Sequence, residues 1–178
     1  MHTQLRERAG LTVIRGGIDR ELAQALDVEC ASLLATPREE IYYYTEFNPA
    51  ECEETMPINT RGYRLTTLVG AGLAAMSKVL ELHPYPEEPD ANILINGQGP
   101  GAAQVFHPDI VRGGQLVVHA SDGGAFDFYL PGSSDFETIY FEAGDLVRLD
   151  RPAIRHRGRN PSSHHRHTLV FSSGLPIE

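Results

Sequence analysis

The residues best placed to do chemistry are His107 and Asp109, at the end of the stretch Asn96-Gly97-Gln98-Gly99-Pro100-Gly101-Ala102-Ala103-Gln104-Val105-Phe106-His107-Pro108-Asp109. An apolar run, Ile93-Leu94-Ile95, leads into the glycine- and proline-rich turn, and a second, Val105-Phe106, delivers the imidazole and the carboxylate. Side chains two positions apart on an extended chain leave the same face. Together they can hold one side of a metal ion, and His156, 49 residues downstream after several strand-like segments, supplies a third ligand. Two histidines and one carboxylate with open positions left over suit Fe(II). A His-x-Asp pair alone is weak in a chain with 8 histidines; the simpler reading makes His107 a buried structural histidine and Asp109 a turn cap.

Such a ligand set needs a frame that returns distant strands to one place. From Asn92 onward the pattern is almost entirely β. Strands are predicted at Asn92–Asn96, Gln104–His107, Gln115–His119, Ala125–Leu130, Thr138–Phe141, Leu146–Leu149, Ala153–Arg155 and His167–Ser172. Gly113-Gly114, Asp122-Gly123-Gly124, Pro131-Gly132, Ala143-Gly144-Asp145 and Asn160-Pro161 mark the turns between them. Short strands with regular turns imply a sandwich or barrel, and the jelly roll is the version that hosts metals in its mouth. Upstream, Leu11–Ile14 reads as a strand, and Asp19 caps a helix through Leu22, Ala25, Leu26, Val28 and Leu33-Leu34 that Thr36-Pro37 ends. Ile41–Tyr44 and Arg61–Leu65 read as extended, with Asn48–Pro57 an acidic loop between them. A second helix is predicted from Thr66 or Thr67 to Leu82, stopped by the prolines of His83–Pro89. The expected architecture is therefore mainly β with flanking α: a double-stranded β-helix (jelly roll, cupin-like) buttressed by two N-terminal helices. It is read as a single domain over 1–178, with 1–91 as helical support and substrate loops and 92–173 as the jelly-roll core.

The length of 178 residues suits one domain with a sizeable core. No apolar run approaches the roughly 20 residues of a membrane helix, so no membrane partner is expected. Arg6, Glu7 and Arg8 precede no apolar segment, so the start of the chain is not expected to be a secretory signal. Cys30 and Cys52 match no metal or redox spacing and read as free thiols, which fits a cytoplasmic protein. The formal net charge of -9 argues against broad binding to phosphate backbones. Positive charge nevertheless gathers late in the chain, at Arg148, Arg151, Arg155, Arg157, Arg159 and Arg166, which suits a small anionic ligand. Arg166 opens the apolar strand Arg166-His167-Thr168-Leu169-Val170-Phe171; burying its charge is costly unless a carboxylate meets it.

These residues carry a family resemblance. The His-x-Asp…His…Arg pattern resembles the Fe(II)- and 2-oxoglutarate-dependent oxygenases, with AlkB-like and prolyl-hydroxylase-like members. The resemblance covers about Asn92 to Ser173. It implies Fe(II) held by His107, Asp109 and His156, and 2-oxoglutarate chelating that iron. Arg166 would grip the far carboxylate, with Thr168 and Asn96 as lesser donors, and O2 would be the oxidant. The approach Ile95-Asn96-x-x-x-Pro100-Gly101 is similar to the AlkB-like branch, but Gln98 stands where that branch has a tyrosine, and Ser172 where it tends to carry a second arginine. No basic, aromatic-interleaved lid for a flipped base is visible. The retained Asp109 argues against halogenation, for which the family gives up that carboxylate.

The resulting expectation is a dioxygenase that hydroxylates a small molecule or peptide and releases succinate and CO2. One rival is oxidative demethylation of nucleic acid, an unfavoured partner; another is a non-catalytic jelly-roll protein that binds a metal or small ligand. Arg61, Tyr63 and Arg112 are candidate substrate contacts, each with an ordinary surface role as the alternative. His119, on Leu116-Val117-Val118, reads as a core histidine or one that supports the site rather than a metal ligand. His164 and His165 read as solvated loop, Tyr42–Tyr44 as strand packing and Asp145 as a turn residue. The acidic Glu51–Glu54 segment reads as solvated, with a lid as the minority reading.

Overall fold

The computed structural model describes residues 5–8, 10–35, 41–43, 60–65, 78–79, 81–82, 92–104, 106–107, 114–150 and 154–172. Strands β1 (Leu5–Arg8) and β2 (Leu11–Ile14) form an antiparallel pair. β2 coincides with its expected span. β1 departs from the expectation: three of its four residues are charged, a composition that suits the outermost strand of a sheet, where charge discourages pairing with another chain.

Helix α1 (Arg20–Ala35) starts where the sequence places it. The Asp19 carboxylate accepts a hydrogen bond from the Leu22 amide at 2.7 Å, satisfying one of the donors a helix start leaves over. Ala23, Leu26, Cys30 and Leu34, three or four residues apart, form its buried stripe. Of the expected second helix, residues 78, 79, 81 and 82 are helical and Val79 is fully buried; its other positions lie outside the described residues, as do the acidic loop and Cys52.

The remaining strands are β3 (Ile41–Tyr43), β4 (Thr60–Leu65), β5 (Asn92–Gln98), β6 (Gln115–His119), β7 (Gly124–Tyr129), β8 (Phe136–Phe141), β9 (Leu146–Leu149), β10 (His156–Arg159) and β11 (Arg166–Ser172). They make an eight-stranded sheet in the order β1-β2-β9-β6-β11-β5-β4-β3 and a three-stranded sheet, β10-β7-β8, all antiparallel. The strand predicted at Gln104–His107 is not a regular strand among the described residues: the stretch runs beside β10 through the isolated bridges Ala103↔Arg159 and His107↔His156. The result is the expected jelly roll.

Two apolar layers result. One packs α1 on the large sheet, with Leu26, Cys30, Ile95, Leu116, Val118, Leu169 and Phe171; the other fills the space between the sheets, with Val117, Val170, Val147, Phe126, Phe128 and Phe141. Neighbours such as Val117 and Val118 thus serve opposite layers. Central strands of the large sheet are covered on both faces and read as unbroken apolar runs. Each large side chain so buried contributes about 1.5–3 kcal/mol before conformational entropy is counted.

One boundary moves. The strand expected at Ala153–Arg155 is observed at His156–Arg159 instead. Ile154 leaves the ladder to bury its side chain in the inter-sheet core, and regular pairing to β7 begins at His156↔Phe128.

Candidate functional site

His107 and His156 meet across an antiparallel bridge: each backbone amide donates to the other's carbonyl at 2.9 Å. Their rings are 4.8 Å apart between centroids. His156 is buried and its ring stacks on Phe126, 4.9 Å away. Its Nδ1 lies 2.7 Å from the Ile154 carbonyl oxygen. A carbonyl only accepts, so Nδ1 carries the proton and Nε2 the lone pair, the form in which a histidine ligates a metal. Where Ile154 leaves the ladder, its carbonyl thus fixes the tautomer of His156. Asp109, the third expected ligand, and Arg112 lie outside the described residues. Among the described residues no group of three or more His, Cys, Asp or Glu side chains is arranged to hold a metal.

Behind this pair is a polar patch inside the barrel. Thr168 on β11 stands in register with Asn96 on β5 and His119 on β6, and one step along the strands Arg166 stands opposite Gln98. Asn96, Gln98, His119, Arg166 and Thr168 are all buried. Each is an even number of residues from an inter-sheet core position of its own strand (Leu94, Val117 or Val170), so the five share the inner face.

Arg166 is the electrostatic centre of this patch. One terminal nitrogen donates to the Gln98 side-chain oxygen and, at 3.1 Å, to the Arg159 carbonyl of β10; the other lies 3.0 Å from His119 Nδ1. The guanidinium thus reaches from the large sheet to the small one. All three partners are neutral, where a carboxylate was the expected one, and Nε has no hydrogen-bond partner among the described residues. Burial alone pushes the guanidinium down to about 9, which still leaves it cationic near neutrality. A buried cation met only by neutral acceptors fits an anionic ligand.

His119 is the other deeply buried titratable group. It is fully enclosed, and its ring stacks on Phe141 at 3.9 Å. Burial, with the Arg166 and Arg15 charges, holds its pKa well below the ordinary histidine range, so the ring is neutral. Full burial fits both expectations for His119, a core histidine or one that supports the site, and the Arg166 contact at 3.0 Å adds a polar role to its packing. Gln98, which stands where the AlkB-like branch has a tyrosine, is a partner of Arg166 that the motif does not announce. Its Nε2 donates to the Gly158 carbonyl at 3.1 Å while its oxygen receives Arg166. The available signal was its spacing: two residues after Asn96, it must share that residue's face.

The expected substrate contacts Arg61 and Tyr63 fall on β4, in register with Gly97 and Ile95; their side chains are outside the described residues. His164 and His165 are exposed in the turn before β11. Asp145 is a buried turn carboxylate that accepts from Arg15 and from the Gly16 and Glu142 amides. No helix among the described residues is long and apolar enough to cross a membrane.

The outer face of the small sheet holds a separate ionic cluster. The buried Asp127 carboxylate accepts from Arg157 at 2.8 Å, from Arg159 at 2.6 and 3.0 Å and from Thr138 at 2.7 Å. Burial raises its pKa, but these hydrogen bonds outweigh that and leave it below the usual carboxylate range. Arg157 also lies over Phe106, 4.3 Å from the ring centroid, which braces the residue before His107.

No protein-family model matches the sequence. No curated protein sequence matches it either. Solved structures share its fold. A prolyl-4-hydroxylase from Pseudomonas putida superposes with a TM-score of 0.61 at 20% identity, covering 92% of this chain and 91% of that one. A Trichoplax adhaerens prolyl hydroxylase, in complex with a hypoxia-inducible-factor degradation-domain peptide, gives 0.64 at 10% identity, covering 92% and 83%. HygX from Streptomyces hygroscopicus, with nickel and 2-oxoglutarate bound, gives 0.60 at 12% identity, covering 92% and 82%. At these identities the likeness is one of fold: the chain shares the jelly roll of these two prolyl hydroxylases and HygX.

Proposed function

We propose that the protein is an Fe(II)- and 2-oxoglutarate-dependent dioxygenase that hydroxylates a small molecule or a peptide. The observation that carries this reading is the buried Arg166, with no carboxylate partner among the described residues, inside the same barrel as the bridged pair His107 and His156. Arg166 touches β10 at Arg159, three residues from His156, or about 10 Å of extended chain. A five-carbon diacid bound at the metal by one end can reach toward the guanidinium with the other. The nickel and 2-oxoglutarate in HygX and the peptide in the Trichoplax enzyme support the same assignment of cofactor and substrate class.

In this reading His107, Asp109 and His156 hold the iron, and 2-oxoglutarate is the co-substrate. Bound together with O2, they supply the oxidation: 2-oxoglutarate leaves as succinate and CO2, and one oxygen atom enters a substrate C–H bond. The chain's own part is to bind and orient. The Ile154 carbonyl keeps the proton on His156 Nδ1, so its Nε2 ligates. The Asp109 carboxylate offsets part of the metal's charge. Arg166 pairs with the far carboxylate of 2-oxoglutarate, assisted by Thr168 and Asn96. Phe126 and Phe128 wall the site and exclude water, which strengthens the ionic pairing.

Succinate release tests the reading. Supplied with Fe(II), 2-oxoglutarate, O2 and a panel of peptides and small metabolites, the wild type should form succinate, and Asp109→Ala should not. Equal succinate from both would overturn it.

A further inference from the structure

Arg166 does not stand alone. Its Nη2 lies 3.0 Å from His119 Nδ1, and its Nη1 is fixed by Gln98 and the Arg159 carbonyl. Since a guanidinium only donates, His119 Nδ1 must be the acceptor, and the ring's proton sits on Nε2. That Nε2 is buried without a hydrogen-bond partner among the described residues. An unpaired buried donor is a cost a packing residue would not incur. A phenylalanine would stack on Phe141 without it. The wall behind the guanidinium is Gly124 of β7, where any Cβ would collide with Arg166.

We infer that His119 is a positioning residue for the anion site: through Nδ1 it sets the orientation in which Arg166 meets the far carboxylate of 2-oxoglutarate. This rests on the function proposed above and concerns affinity for one end of the ligand. A keto acid without the far carboxylate, such as pyruvate, binds the metal end alone and does not register the state of His119.

The experiment is calorimetric titration of Mn(II)-loaded protein with 2-oxoglutarate and, separately, with pyruvate, in wild type, His119→Phe, His119→Asn and His119→Gln. Loss of a buried hydrogen bond to a charged group predicts that His119→Phe weakens 2-oxoglutarate binding about tenfold or more and leaves pyruvate unchanged. An asparagine can place an acceptor near the Nδ1 position, whereas glutamine reaches toward Nε2, so Asn restores 2-oxoglutarate affinity and Gln does not. If His119→Phe fails to fold, the Asn–Gln comparison carries the test. Unchanged 2-oxoglutarate affinity in His119→Phe, equal loss of both ligands, or equal affinity in Asn and Gln would overturn the inference while leaving the proposed function standing. A wild type that binds pyruvate and 2-oxoglutarate alike, or neither, would overturn both.

Discussion

His156 donates its Nδ1 proton to the carbonyl of Ile154, two residues before it, at 2.7 Å. That local bond ties the strand boundary to the tautomer of His156. Ile154 turns its side chain into the core, its carbonyl turns to the histidine, and the other ring nitrogen is left with its lone pair. His107 is then locked opposite by two backbone hydrogen bonds of 2.9 Å. Removing either ring should abolish a metal site without unfolding the sheet. We expect His107→Ala and His156→Ala to lose metal affinity by about 100-fold or more, beyond what loss of a supporting hydrogen bond costs. Metal content after gel filtration, with circular dichroism to confirm the fold, measures this.

Asp127 is fully enclosed between Arg157 and Arg159, themselves mostly buried. Asp127→Ala strands two arginines and should cost about 3–5 kcal/mol of stability. Urea unfolding gives the value. A loss under 1 kcal/mol would mean the arginines find other partners.

Helix α1 should depend on its cap. Asp19→Ala removes the acceptor for the Leu22 amide and should cost about 1 kcal/mol, whereas Asp19→Asn should keep most of it. Thermal melts of the three proteins suffice.

His119 makes stability depend on pH in a definite direction. Its folded pKa is depressed while the unfolded chain titrates near the ordinary value of about 6.5. Below that, the unfolded state binds a proton the folded state refuses, so stability is full above about pH 6.5 and falls as pH falls. The limit for one group is about 1.4 kcal/mol per pH unit. Asp127 and Asp27 act the same way but lower, below about pH 4, because their folded pKa values are depressed from the carboxylate range. His119→Asn should therefore flatten the stability profile between pH 5 and 6.5 and leave the steeper acid limb in place. An unchanged slope there would show that His119 takes up its proton in the folded state.

Much of this fold is legible in the chain itself. Leu116-Val117-Val118 and Leu169-Val170-Phe171 announce strands covered on both faces, and Asp19 marks the start of α1. Arg166 shows itself as a charge on an apolar strand. Other features depend on partners no local pattern reveals. The strand at 156–159 begins later than its apolar lead-in suggests because Ile154 is claimed by the core. β1 has too few apolar residues to signal a strand, since an edge strand is specified by its neighbour. The neutral clamp on Arg166 depends on Gln98, His119 and Arg159, residues 68, 47 and 7 positions away. The register of β5 and β6 with β11, and the packing of β10 across the sheets, bring them together.

In the proposed function the bridged histidines and Arg166 form one cofactor site. The most direct test is anaerobic absorbance of metal-free protein on adding Fe(II) and then 2-oxoglutarate, beside His107→Ala and Arg166→Ala. We predict a visible charge-transfer band in the wild type, absent in His107→Ala and requiring much more 2-oxoglutarate in Arg166→Ala. No band in the wild type, or a band that neither substitution alters, would contradict the account.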